Sequence, residues 1–569
     1  MKPIDVRNIY IKGDLAVRSG LNYSRLEGKW YRPDEIFKAD SHGWPGDWEG
    51  RVILALTLLE QSTHRTSAYL SEIIDLLPEN LNEKGYFGDI LPEGKFDEQH
   101  VSGHSWMVRA LTEYYKYKKD PTVLAILERM LRAYLLPAKG AFAQYPIDPA
   151  TKFENPGCWI LSKLQTKTIH HAETSDAGCL FIMIDGATAA YEILLWQELK
   201  DIIEEMITRF MEMDLEALNI QTHATLSATR GILRFYEITG DIKYLEFAKQ
   251  RFSLYKEKAW TEAYGNFNWF GAPRWTEPCG IIDSYIAAIT LWRFTGDAGY
   301  LNDAQLIYYN AFLHGSRVNG SFGTDRCLGA IETDDNLFLS PINYETYWCC
   351  TMRGGEGYAK AIEFNFFTED DTVFVPTYNS CEVLLALQSG SIHFEEMTRY
   401  PTDGKVRLKI LQAPDSSVTF SFYVPDFSGS TSLKLNGKPA VTNIENGLIN
   451  IKETFKPGDE LELDLDLSIR VEETSNGNCI RGYHKFLYGP MLLGLKSATE
   501  TNSLDGNRFE NYAESRYRSA GEVSIPIDAE ITISGNNEFK VSGTDIVLSG
   551  ICDVRDLTCE NTMRQILFK

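Results

Sequence analysis

One helical pattern, repeated three times in the first two-thirds of the chain, restricts the fold more than any other feature of the sequence. At residues 104–136 an apolar run from His104 to Leu111 leads to Tyr114-Tyr115, a break at Asp120-Pro121, and a second run from Val123 to Leu136. The shape returns at 223–256, where Gly231-Ile232-Leu233 and Phe235-Tyr236 end at Thr239-Gly240-Asp241 and Tyr244-Leu245 opens the next helix. It returns again at 279–313, through Trp292-Arg293-Phe294, Thr295-Gly296-Asp297 and Tyr300-Leu301. In the second and third copies glycine stops one helix, and in all three an aspartate is placed to cap the next. Each pair leaves an apolar face that only a neighbouring pair covers, so the pairs stack, as an open solenoid or a closed ring. A length of roughly six pairs in about 350 residues fits a closed (α/α)6 barrel, which leaves no exposed ends. The long joints at 262–276 and 314–356, rich in Gly, Trp and Asn, exceed ordinary connectors and mark the rim where a site is expected.

Near residue 370 the period changes from helical to two. Thr372-Val373-Phe374-Val375, Val406-Arg407-Leu408-Lys409-Ile410, Val418 to Tyr423 and Leu461 to Asp466 alternate as strands do, and Asn436-Gly437 is a hairpin signal. The expected fold class is therefore mainly α plus β: an (α/α)6 barrel over 1–368, a β-sandwich over 369–470, and a second sandwich, or the completion of the first, over 471–569. These sandwich domains are candidates for mediating a homodimer or for covering one side of the barrel.

A formal charge of −23 leaves no basic surplus for nucleic acid or for an anionic membrane surface. The aromatic share of 12% leans mildly toward carbohydrate, since flat rings stack on sugar faces as well as filling cores. No stretch approaches the run of about 20 apolar residues that a membrane span needs. The start, Met1-Lys2-Pro3-Ile4-Asp5, lacks the apolar core of a signal peptide, so the expected compartment is cytoplasmic, or periplasmic or secreted had a leader been removed. Ten cysteines scattered over 569 residues favour free thiols or metal ligands over a disulfide framework.

Two short motifs carry chemistry. Glu277-Pro278-Cys279 opens a helix, and Cys349-Cys350 lies in a joint ahead of the last barrel helix. Three thiols and a carboxylate make a four-coordinate zinc shell, and Glu-x-Cys lets two ligands reach one ion from a single turn. Adjacent cysteines also arise by chance, and a lone buried Cys is usually a small hydrophobe, so spacing alone leaves both readings open.

Taken in order, the motifs resemble the β-L-arabinofuranosidase glycoside hydrolases that use a cysteine nucleophile on zinc. Gly85-Tyr86 with Ser102-Gly103-His104 resembles that family's Gly-Tyr…Ala-Gly-His segment, and Thr222-His223-Ala224 its Gly-His-Ala helix start. Thr261-Glu262-Ala263-Tyr264-Gly265 resembles Gly-Glu-Ala-Phe-Gly, Glu277-Pro278-Cys279 resembles Glu-Thr-Cys, and Trp348-Cys349-Cys350 contains the Cys-Cys pair. The resemblance implies Zn2+ on Glu277, Cys279, Cys349 and Cys350, with Cys349 as nucleophile and Glu262 as general acid/base. His104 and His223, at barrel helix starts, read either as hydrogen-bonding sugar hydroxyls or as satisfied structural histidines, and Asp47, in an Asp47-Trp48-Glu49 segment near His42, lies where the family also places substrate-contacting polar residues. The implied reaction releases an L-arabinofuranose-like sugar from an oligosaccharide through a thioglycosyl-cysteine intermediate.

The family's Pro-Pro-Asn after Cys-Cys is replaced here by Thr351-Met352-Arg353, beside the implied nucleophile, which leaves the sugar open. Arg353 reads as a partner for an acidic sugar or as a brace for its loop, and His170-His171 as rim or structural residues. Other barrel chemistry, by a lyase or a carboxylate-pair hydrolase, and glycan binding around a structural zinc remain the competing expectations.

Overall fold

The computed structural model describes the chain except for residues 39–42, 152, 153, 155, 162–176, 332–335, 497–520, 536 and 552–562. His42, His170, His171, Cys552 and Cys559 therefore lie outside the described residues.

Among the described residues twelve principal helices alternate between two layers. They are α1 (Gly13–Leu26), α2 (Asp47–Thr63), α3 (Leu70–Asn80), α4 (Glu98–Lys118), α5 (Pro121–Met130), α6 (Met183–Leu194), α7 (Gln197–Met211), α8 (Thr222–Thr239), α9 (Ile242–Lys258), α10 (Pro278–Thr295), α11 (Gly299–Ile307) and α12 (Cys350–Glu363). The even-numbered helices pack each against the next, and α12 packs against both α10 and α2, so the inner ring closes. The odd-numbered helices cover it. Outer α7 shows why: Leu199, Ile202, Ile203, Met206, Ile207 and Phe210 bury one stripe, and the opposite face is polar. Inner α2 and α10 are instead buried almost all round, as ring helices must be.

The punctuation read from sequence holds. Gly240 and Gly296 end α8 and α10 in the left-handed conformation. Asp120 and Asp241 cap α5 and α9 by accepting from the N–H of Thr122 and Lys243. Glycines also let the ring tighten. A Cβ on Gly50 would sit 2.4 Å from the Met107 backbone, and one on Gly186 2.5 Å from the Ser105 carbonyl.

The first sandwich pairs a seven-stranded with a six-stranded sheet, and Phe394 of one meets Phe420 of the other edge to face at 5.4 Å. The strands read from sequence are present, with Asn436-Gly437 at positive φ between Thr431–Leu435 and Lys438–Pro439. Two short strands ahead of the barrel also join: Lys2–Pro3 pairs with Phe367–Glu369, and Ile9–Ile11 with Cys381–Leu387. The expected 1–368 barrel segment thus gives its first residues to the sandwich. Strands this short show no period in a sequence.

A further sheet, running from Ile469–Glu473 to Arg564–Gln565, takes in Phe338–Leu339 from a barrel joint. Asn310 at the end of the α11 segment exchanges hydrogen bonds with Pro490 and Leu492 of this sheet. The sheet is therefore built onto the barrel. Among the described residues no helix is long and apolar enough to cross a membrane.

Candidate metal centre and active site

Because each outer helix returns the chain, the six inner helices run the same way and their N-terminal ends share one rim. Glu277 is the residue before α10, with Pro278 pre-set at its first position, and Cys279 follows within the same turn. Cys349 stands just outside α12 in extended φ, and Cys350 is its first residue. One ligand atom from each of Glu277, Cys279, Cys349 and Cys350 lies within 4.8 Å of the others. Cys350 Sγ is 3.7 Å from Cys279 Sγ and 3.4 Å from Cys349 Sγ. Sulfurs bound tetrahedrally at about 2.3 Å from zinc stand roughly 3.8 Å apart, so the donor set and its spacing fit that ion. Burial pushes all three thiols well above the ordinary thiol range, and the neighbouring thiols and Glu277 also act on them. A cation is what such a cluster lacks in order to ionise. Three of the four are buried, and Cys349 alone is partly open.

The surroundings fix each ligand. With its amide oxygen turned toward the Trp275 indole N–H, Asn268 donates to Glu277 Oε2 at 2.5 Å. The N–H of Thr222 donates to the Asn268 carbonyl, tying the start of α8 to the same loop. Ahead of Cys349, Glu345 accepts from Arg25, Tyr31 and Thr351, and Asn343 accepts from Thr324 and Thr346. Half-buried Trp348 and Trp275 line this rim, with Trp275 packed on Trp269 at 5.0 Å between ring centres.

Beneath the cluster lies an ion-pair lattice drawn from all six inner helices. Asp185 pairs with Arg109 (3.0 Å) and Arg234 (2.7 Å), Asp283 with Arg230 and Arg353, and Glu356 with Arg230 (2.5 Å) and Arg353. On α2, Asp47 holds Arg51 at 2.7 Å. The guanidinium groups of Arg51 (3.9 Å) and Arg353 (4.6 Å) both lie over the Trp106 ring. Sequence reading missed this lattice. Its signal was an arginine inside otherwise apolar helical runs, as at Val108-Arg109-Ala110 and Gly50-Arg51-Val52, since such an arginine needs a buried partner.

The remaining expected residues fall into three cases. His223 borders the cluster: Nδ1 is 3.8 Å from Glu277, and Nε2 is 3.5 Å from Asp283 without a hydrogen bond. Burial, then the nearby Arg51, Arg353 and Arg230, hold it well below the usual histidine range, so it is neutral and braces rather than binds charge. Asp47, expected to touch sugar, gives both oxygens to Arg51, at 2.7 and 3.1 Å, and acts through it. Arg353 is committed to Asp283 and Glu356 and is 1% exposed, so it braces the ring and reads no acidic sugar.

His104 takes the structural place that was the other reading of it. Its Nδ1 donates to the His100 carbonyl (2.7 Å), its Nε2 accepts from the Phe87 N–H (3.1 Å), and its ring stacks on Tyr134. No nitrogen is left for a sugar. Burial lowers its pKa from 6.5 to about 3. The neutral form is the folded one, so the stabilisation is whole above about pH 6.5 and is lost as pH falls toward 3. Between pH 6.5 and 5 this one group removes about 2 kcal/mol. Chemical denaturation at both pH values should show the loss in the wild type and a smaller one in His104→Asn.

Glu262 is likewise engaged within the chain. It is fully buried, with Oε1 accepting the N–H groups of Ser475 and Asn476 (both 3.1 Å) and Oε2 the Lys485 ammonium (2.8 Å). Its carboxylate clamps a barrel loop to the C-terminal sheet. With both oxygens committed inside the chain, it presents no face to a substrate.

Comparison with known proteins adds family evidence. Residues 372–467 match the family model described as "Beta-L-arabinofuranosidase, GH127 middle domain". A non-reducing end β-L-arabinofuranosidase of Bifidobacterium longum subsp. longum is 33% identical over 105 residues, or 17% of this chain and 16% of that protein. The chain thus spans less than a fifth of this curated relative. In fold the likeness is whole-length. A GH127 β-L-arabinofuranosidase from Geobacillus stearothermophilus T6 superposes with TM-score 0.70 at 12% identity, covering 99% of this chain and 100% of that one. A second GH127 β-arabinofuranosidase gives 0.67 at 15% identity, covering 100% and 97%.

Proposed function

We propose that this chain, a relative of the GH127 β-L-arabinofuranosidases in its middle domain and in the fold of its whole length, is a retaining glycoside hydrolase with Cys349 as nucleophile. The substrate class is an oligosaccharide ending in a β-linked, L-arabinofuranose-like sugar. The observation that carries the reading is the station of Cys349: partly open on the rim, at a helix N-terminus, with three further metal-type donors buried behind it. Glu277, Cys279, Cys349 and Cys350 would hold zinc, which keeps thiols deprotonated at neutral pH.

The chain's own residues do the rest. Asn268 holds Glu277, His223 borders it, Arg51 reaches Cys279, and the loop before Cys349 is pinned through Asn343 and Glu345. Trp348 and Trp275 offer ring faces for the sugar. Attack forms a C–S bond at the anomeric carbon as the glycosidic C–O bond breaks and the departing oxygen takes a proton from solvent water, which is returned to solvent when a second water adds in the next step. Water then displaces the sulfur from the opposite face, so two inversions give net retention.

Glu262, clamped as it is, does not supply that proton, so leaving groups that need none should react first. General acid catalysis is worth about 10²–10⁴-fold. Aryl β-L-arabinofuranosides of acidic phenols are accordingly expected to turn over at least roughly 100-fold faster than alkyl ones. The check is a leaving-group series on metal-loaded protein, with the product anomer followed by NMR from the first turnover. A first-formed product of inverted configuration, or inertness of every β-L-arabinofuranoside, would sink the reading.

A further inference from the structure

We infer that Arg51 is a positioning residue of the thiol cluster, the cation whose charge lets three thiolates and a carboxylate share one divalent ion inside the barrel. The inference rests on the metal reading above and adds a residue to it. Arg51 lies one turn into α2 and is 5% exposed. Nε and Nη2 are pinned by Asp47 at 2.7 and 3.1 Å, and Nη1 is thereby turned to Cys279 Sγ at 3.8 Å. The guanidinium plane rests on Trp106, 3.9 Å from the ring centre, so it is fixed on three sides.

Charge counting shows what the arrangement is for. Three thiolates and one carboxylate carry four negative charges, and a divalent cation leaves two uncompensated in a buried site, which is costly. The N-termini of α10 and α12 supply partial positive charge. Arg230 and Arg353 are paired with Asp283 and Glu356, and Arg51 is paired too, with Asp47, so what sets Arg51 apart is the Nη1 donor it turns to the cluster. Among the described residues, Arg51 is the cation with a recorded N–H contact to a ligand sulfur. An N–H donor on a ligand sulfur is an outer contact of the kind whose loss typically weakens metal binding 10- to 100-fold. The contact falls on Cys279, and Cys349 remains the partly open sulfur of the cluster.

The test is zinc affinity, measured on the full chain by competition with a chromophoric chelator under reducing conditions, with no substrate present. Arg51→Met keeps much of the stem's contact with Trp106 and removes the charge. It is expected to bind one zinc per chain at least about tenfold more weakly than wild type, and Arg51→Lys to recover part of that loss. Asp47→Asn, which frees the guanidinium from its pin without removing its charge, should fall between them and serves as the reporter should Arg51→Met fail to fold. Wild-type affinity in folded Arg51→Met, or in Asp47→Asn where that is the reporter, overturns the inference and leaves the metal reading standing. Failure of the wild type to bind zinc overturns both.

Discussion

Cys349→Ala is expected to lower turnover by roughly 10⁴-fold or more, on the scale seen when a covalent nucleophile is removed, while leaving the fold intact. The folded state should tolerate the change because Cys349 stands outside α12 and is partly open, so truncation leaves no sealed cavity. Lost activity alone does not separate nucleophile from ligand, since the variant also loses one of four donors. Zinc supplied in excess makes the separation. Glu277, Cys279 and Cys350 still form a three-donor site, and occupancy should recover as zinc is raised. Turnover should not recover with it. A variant that regains activity in step with occupancy would reduce Cys349 to a ligand and remove the proposed mechanism. A complementary measurement uses wild type and a slowly released sugar: intact mass should rise by one pentosyl group, and Cys349→Ala should show no such species.

The parts of this molecule legible in its sequence are those set by local spacing. Gly240-Asp241 and Gly296-Asp297 mark helix pairs because capping is decided within a few residues, and alternation from Thr372 onward marks strands because one face of each is buried. Glu277-x-Cys279 and Cys349-Cys350 are local too, and the barrel's parallel inner helices bring the two motifs to one rim. What local spacing does not carry is partnership across the chain. Arg51 precedes Cys279 by 228 positions, and Glu262 precedes Lys485 by 223. A motif resemblance names a residue type at a place; the hydrogen bonds that decide whether it is offered to a substrate come from elsewhere. His104 shows this over a shorter span, since the Phe87 N–H and the His100 carbonyl use both its nitrogens. The short strand at Lys2–Pro3 was hidden for the opposite reason, because two residues have no period to read.

The Glu262–Lys485 clamp gives the second large effect, one of stability. Both side chains are buried, at 0% and 4% exposure, and removing one partner leaves the other's charge unpaired in the interior. Glu262→Gln and Lys485→Met should each destabilise by about 3–5 kcal/mol. The double variant should recover most of that loss, because a matched apolar or neutral pair costs little where a lone charge costs much. Lys485→Met alone also strands Glu262 beside Glu472, which accepts from Tyr264 at 2.8 Å, so this single change should be the worse of the two. The measurement is a double-mutant cycle by chemical denaturation, read together with activity on good and poor leaving groups. If Glu262 is a clamp, activity per folded molecule stays near wild type in the double variant, and the leaving-group dependence is unchanged. If Glu262 is the acid/base, Glu262→Gln remains as stable as wild type and loses its poor-leaving-group substrates, while Lys485→Met alone keeps them. The two outcomes differ in sign on both axes, because a carboxylate that holds two domains together and one that gives its proton to a sugar cannot be the same group in the same conformation.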